Sequence, residues 1–74
     1  MELAPHQQRV IGEKRELDDR LGKLVAFIDS AIFDGLDAEE QDRLRRQAAC
    51  MADLSQILGE RIAAFGEVKG QENA

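Results

Sequence analysis

The chain has 74 residues, 43% apolar and 34% charged, with three Phe, no Trp or Tyr, one Pro, one Cys, one His and a formal net charge of -5. One Cys and one His exclude a disulfide framework or a Cys/His zinc site within a single copy, and a core of this size supplies only about 3 to 5 kcal/mol, so oligomerisation is the expected reinforcement. The negative charge opposes broad binding of duplex DNA or anionic lipid, and neither a span of ~18 apolar residues nor a signal-peptide layout is present, so a cytoplasmic protein without DNA or membrane partners is expected.

Helix one is predicted over about residues 5–29. Pro5 suits a first helical position, where its missing N–H costs nothing. Val10, Leu17, Leu21, Leu24 and Ile28 follow at spacings of seven, four, three and four, a heptad stripe. Glu16/Arg20 and Asp19/Lys23 stand as acid-before-base pairs at i,i+4 on the outer face. About 24 residues at ~1.5 Å each give roughly 36 Å.

Residues 30–36 break the stripe. Asp34-Gly35 is turn chemistry, whereas Ala31, Ile32 and Phe33 are too apolar for a plain solvated loop. One tucked turn covering the end of the two helices is expected, with an exposed apolar surface from Ala31 to Phe33.

Helix two is predicted over about residues 37–66. Asp37 reads as its N-cap with Glu40 three positions on, close to a capping box. Its stripe is Leu44, Met51, Leu54, Leu58, Ile62 and Phe65, widened by Ala48 and Ile57, with Glu39/Arg43 and Asp42/Arg46 paired outside. Gly66 is a plausible residue just past the helix end, and residues 67–74 read as a frayed tail. The expected fold class is all-α: one domain, an antiparallel helical hairpin. Two helices cannot enclose a core, so Val25, Phe27, Ile57 and Ala64 beside the seam need a further surface, and self-association into a bundle follows.

No enzymatic constellation is present. Cys50, in an Ala-Ala-Cys-Met run beside the stripe, reads as a small buried filler rather than a nucleophile. No glycine-rich phosphate loop exists, but Gly12, Gly22 and Gly59 each cost a helix about 1 kcal/mol relative to Ala, so either they allow close approach of a helix or a flat ligand or a stable oligomer simply tolerates them. No cofactor is expected. His6, Gln7, Gln8 and Arg9 cluster in the first turns of helix one, where the helix N-terminus favours an anion. Lys23 lies about four turns further on, too far to share a small ligand within one subunit, though a second subunit running antiparallel could bring its own Lys23 there. Arg43 and Arg46 have acidic i,i-4 neighbours; Arg61 has none and is the freer guanidinium, suited to phosphate or base edges.

The run Pro5-His6-Gln7-Gln8-Arg9-Val10-Ile11, the stretch Leu21 to Ile28, the link Ile32-Phe33 with Leu36-Asp37, and Glu40-Gln41 through Leu44, Gln47, Met51, Ile57-Leu58 and Glu60-Arg61-Ile62 together resemble the phage anti-CBASS cyclic-oligonucleotide sponges. The resemblance covers about residues 5 to 65 and implies a non-enzymatic protein that sequesters the cyclic messengers of bacterial anti-phage immunity. It implies helical hairpins assembled into homo-oligomers, commonly hexamers, with cyclic dinucleotides held between neighbouring subunits and, in some members, cyclic trinucleotides at separate sites. Carried over by position, Lys23, His6, Gln8 and Arg9 are the dinucleotide candidates, and Arg61, Val25 and Ser30 the trinucleotide candidates. The chain departs from the pattern in having no Tyr to stack on a base, a part that falls to His6 or Arg9. The competing readings are an oligomeric adaptor that docks a protein through the turn, an acidic DNA mimic, and, weakest, a cyclic-nucleotide hydrolase.

Overall fold

The computed structural model describes residues 3–66. Two long helices and one short one make up the chain: α1 (Pro5–Ile28), α2 (Ala31–Asp34) and α3 (Ala38–Ala63), followed by a 3₁₀ turn at Ala64–Gly66. Among the described residues there is no strand. The expected tail, 67–74, lies outside them.

Pro5 opens α1 as expected, behind an extended Ala4. Ala4 has no side chain with which to cap, so the glutamines do the work. Gln7 Oε1 accepts from the Ala4 N–H at 2.9 Å, and Gln8 Nε2 donates to the Leu3 carbonyl at 2.9 Å. At the other end Ser30 turns the chain: its hydroxyl donates to the Phe27 carbonyl at 2.6 Å and accepts from the Phe33 N–H at 3.3 Å. The tucked turn is therefore a single turn of helix. Gln41 Nε2 reaches back from α3 to the Phe33 and Leu36 carbonyls at 2.9 and 3.1 Å, satisfying groups that the end of α2 leaves open.

This corner buries Phe33, which is 2% exposed, so the expected apolar surface from Ala31 to Phe33 is corrected to Ala31 and Ile32, the latter 69% exposed. Phe27 meets Phe33 edge-on with centroids 6.3 Å apart, and the Arg45 guanidinium lies 5.0 Å from the Phe33 centroid. Aromatic and cation–π contacts of this geometry each contribute about 0.5 to 1.5 kcal/mol.

Asp37 caps α3 by accepting from the Glu40 N–H at 2.8 Å. The Glu40 carboxylate then accepts from Arg43 at 2.9 Å, so the Arg43 pair is i,i+3 with Glu40 and not i,i+4 with Glu39. The pairs Glu16/Arg20, Asp19/Lys23 and Asp42/Arg46 are made at 4.0, 3.2 and 2.9 Å. Gly66 is not a left-handed cap: α3 ends at Ala64 in right-handed geometry, and among the described residues no glycine has a positive φ.

The seam between α1 and α3 differs from the expected stripe at two places. On α3 the half-buried and buried positions run Leu44, Ala48, Met51, Ser55, Leu58, Ile62, alternating fours and threes. Ser55 takes the place expected for Leu54, which is 45% exposed. On α1 the run is Val10, Lys14, Leu17, Leu21, Leu24, Ile28, with Lys14 filling the gap of seven. The two polar intruders meet: Lys14 Nζ donates to Ser55 Oγ at 3.2 Å and to Asp18 at 2.7 Å, and Ser55 donates to Asp18. Gly59 makes room for the lysine stem, since a Cβ there would stand 3.2 Å from Lys14 Cε. Residue pairs Asp18–Ser55 and Lys14–Gly59 thus climb in number on α3 as they fall on α1.

Cys50 falls one position off the seam and is exposed, which corrects its reading as a buried filler. Only Val10, Phe33 and Leu58 are fully buried among the described residues. The radius of gyration is 16.4 Å, against about 11 Å for a compact domain of this length. Such a molecule leaves apolar surface uncovered: Val25 and Ile57 are 51% and 52% exposed. Cys50, Leu54, Ile57 and Arg61 follow one another at four, three and four, a second stripe on α3 that flanks the seam with α1.

Candidate functional site

An open cleft of about 600 Å³ lies against the first turns of α1 and the last turns of α3, lined by His6, Arg9, Val10, Gly12, Glu13, Glu16 and Arg61. That volume is within the range of small-molecule sites. The helical period places His6, Arg9, Glu13 and Glu16 along one flank of α1, three or four residues apart. Arg61 reaches the same space because it follows Ile57 by one turn on the outer stripe of α3. Buried Val10 anchors the floor. At Gly12 a Cβ would meet nothing within 4 Å, so the wall there is bare backbone with open space before it.

His6, Arg9, Glu13 and Arg61 form no ion pair among the described residues, whereas Lys14, Arg20, Lys23, Arg43 and Arg46 all do. Unpaired guanidinium groups converging on a cleft can bind phosphate bidentately. The N-terminal end of α1 adds its dipole to the same side.

The structure brings His6 and Arg9 together with Arg61, residues that the sequence reading divided between two ligands. The remaining candidates are elsewhere. Gln8 is turned back on Leu3. Lys23, paired with Asp19 at 3.2 Å and 78% exposed, sits fourteen positions beyond Arg9 on α1, about 21 Å along the helix. Val25 is an open apolar position, and Ser30 is committed to capping α2. Glu13 and Glu16 were missed as site residues because acids alternating with bases on a helix read as a solvated face; their register with Arg9, four and seven residues on, was the available signal.

Among the described residues no three His, Cys, Asp or Glu side chains gather to hold a metal, and no helix is long and apolar enough to cross a membrane. Among the described residues the chain is all-helical, with an open cleft of mixed charge between the start of α1 and the end of α3. The chain belongs to the Sequestin family, whose model matches residues 4–64. The family's name speaks of sequestration, which suits a binding protein rather than an enzyme. No curated protein and no solved structure matches the chain.

Proposed function

We propose that this protein is a sponge: it binds cyclic oligonucleotide messengers, cyclic dinucleotides such as cyclic GMP–AMP and also cyclic trinucleotides, and holds them without cleavage. In a phage-infected cell this blocks CBASS immunity by keeping the messenger from its effector. The observation that carries the reading is the cleft in which unpaired His6, Arg9 and Arg61 meet on a chain of a sequestering family. Two guanidinium groups match the two phosphates of a cyclic dinucleotide, and His6 offers a ring to stack on a base in place of the absent Tyr.

The unit we envisage is an antiparallel hairpin of α1 and α3, supported by the Lys14–Ser55 and Asp18–Ser55 bonds. The cleft is open on one side, and the outer stripe Cys50, Leu54, Ile57 adjoins Arg61. A second copy seated on that stripe covers the apolar surface and closes the cleft; in the homo-oligomer, a hexamer by resemblance, Lys23 of a neighbouring copy reaches the bound phosphate. The same uncovered stripe also suits an adaptor that docks a partner protein. An adaptor would be indifferent to nucleotides.

The test is calorimetry and thermal melting of the purified protein with cyclic di- and trinucleotides and linear controls, followed by denaturation and identification of what is released. A sponge returns intact cyclic nucleotide and gains about 2.7 kcal/mol of stability at a hundredfold excess of ligand over Kd. Absence of binding by every cyclic nucleotide would overturn the reading and leave the adaptor.

A further inference from the structure

The seam does not run along the middle of the apolar band of α3. That band spans Met51, Leu54, Ile57, Leu58 and Ile62, whereas the residues turned to α1 are Met51, Ser55, Leu58 and Ile62. At about 100° per residue, the centre of the apolar residues lies roughly 35° round the helix from the centre of the seam, on the side of Leu54 and Ile57. Both of these stay exposed. A rotation of α3 about its own axis by that amount would carry Leu54 towards α1 and Ser55 away from it, which apolar burial alone favours. Something other than hydrophobicity opposes the rotation.

Two independent contacts act in that sense. Lys14 Nζ donates to Ser55 Oγ at 3.2 Å and to Asp18 at 2.7 Å, and Ser55 donates to Asp18, a closed set made across the seam. Rotation breaks both bonds of Ser55 and sets Leu54 against the Lys14 ammonium, a charged donor that then loses an acceptor. The second contact is steric. The Lys14 stem lies on the backbone of Gly59, where a Cβ would stand 3.2 Å from Lys14 Cε. Rotation brings a side chain to the place of that bare backbone.

We infer that Lys14, Asp18 and Ser55, with Gly59, set the rotation of α3 about its axis, holding its apolar band off-centre on α1. The device leaves Leu54 and Ile57 outside and keeps Arg61, next along their stripe, on the cleft that Arg9 lines. Polar groups in an otherwise apolar helix seam are known to select one arrangement among several at a cost in burial, which is the part assigned to these residues. The inference is independent of what the cleft binds.

The test reads the contacts of side chain 14 by nuclear Overhauser effects, with labelled copies diluted in unlabelled ones so that only contacts within a copy count. In the parent, Lys14 meets residue 55 and not Leu54. In Lys14→Leu/Ser55→Ala the tie is gone, and Leu at 14 is expected to meet Leu54. In Lys14→Leu/Ser55→Leu/Leu54→Ser the apolar residue is moved onto the observed seam, and contact with position 55 is expected to return. A tie that only adds stability leaves the contacts of position 14 on residue 55 in every variant, and that result overturns the inference. A second measurement stands whether or not the double variant folds: chemical denaturation of Lys14→Met, Ser55→Ala and their combination is expected to show coupling of roughly fivefold or more in the folding equilibrium. Additive effects at the two sites would also overturn it.

Discussion

Lys14, Asp18 and Ser55 form the polar tie of the helix pair, and their charge state links it to pH. Hydrogen bonding from Lys14, then from Ser55, holds the Asp18 carboxyl below the usual aspartate value. A carboxylate whose folded pKa is depressed stabilises the fold fully above its unfolded value and loses that contribution as pH falls through the folded one. Melting temperature measured against pH is therefore expected to drop below about pH 4, and Asp18→Asn to flatten that acid limb while lowering stability near neutrality. A limb unchanged in Asp18→Asn would show that other carboxylates dominate it. Half of this tie was legible in the sequence: the heptad stripe of helix one skips position 14, a visible gap. Nothing local says that Ser55 fills the matching gap on the other helix, because the pairing depends on register across the seam.

At the scale of the elements, the starts of the two long helices and the turn could be read because they rest on local chemistry: Pro5, Asp37 and Asp34-Gly35 each act within four residues, whereas Ser30 was read as part of the turn and not as the cap of α2. The phase of α3 could not. Apolar residues at Leu54 and Ile57 share the helix with Leu58 and Ile62, so composition alone does not say which set faces α1, and Cys50 went with the wrong one. Glycine substitution separates propensity from packing. Gly12 and Gly22 have open space where a Cβ would stand, so Ala at either is expected to stabilise the helix by about 1 kcal/mol in a single copy. Gly59→Ala gains the same propensity but presses on Lys14, so its gain in chemical denaturation is expected to be visibly smaller. A loss of stability in Gly22→Ala would reveal a neighbouring copy packed against that backbone.

For the whole molecule, three buried side chains among the described residues and an uncovered stripe make concentration the variable to watch. If copies meet on the stripe, melting temperature rises with protein concentration, and Ile57→Glu abolishes that dependence and lowers apparent mass in sedimentation. A parent protein whose melting is independent of concentration would contradict self-association. Of the candidate site, the cations were legible and their meeting was not: His6, Arg9 and Arg61 come together only when α1 lies against α3, and the acids beside them drew no notice on their own. That same separation in sequence orders events in time. The corner closes over short distances, Gln41 to Phe33 spanning eight positions, whereas Lys14 and Ser55 are forty-one apart and the cleft lies beyond them. Short loops close first, so the corner is expected to nucleate folding and the cleft to be completed after the barrier, an order checked by comparing folding and unfolding rates of Phe33→Leu and Ser55→Ala. A ligand that grips the cleft then slows unfolding and leaves the rate of folding untouched, lengthening the life of the folded protein instead of hastening its birth.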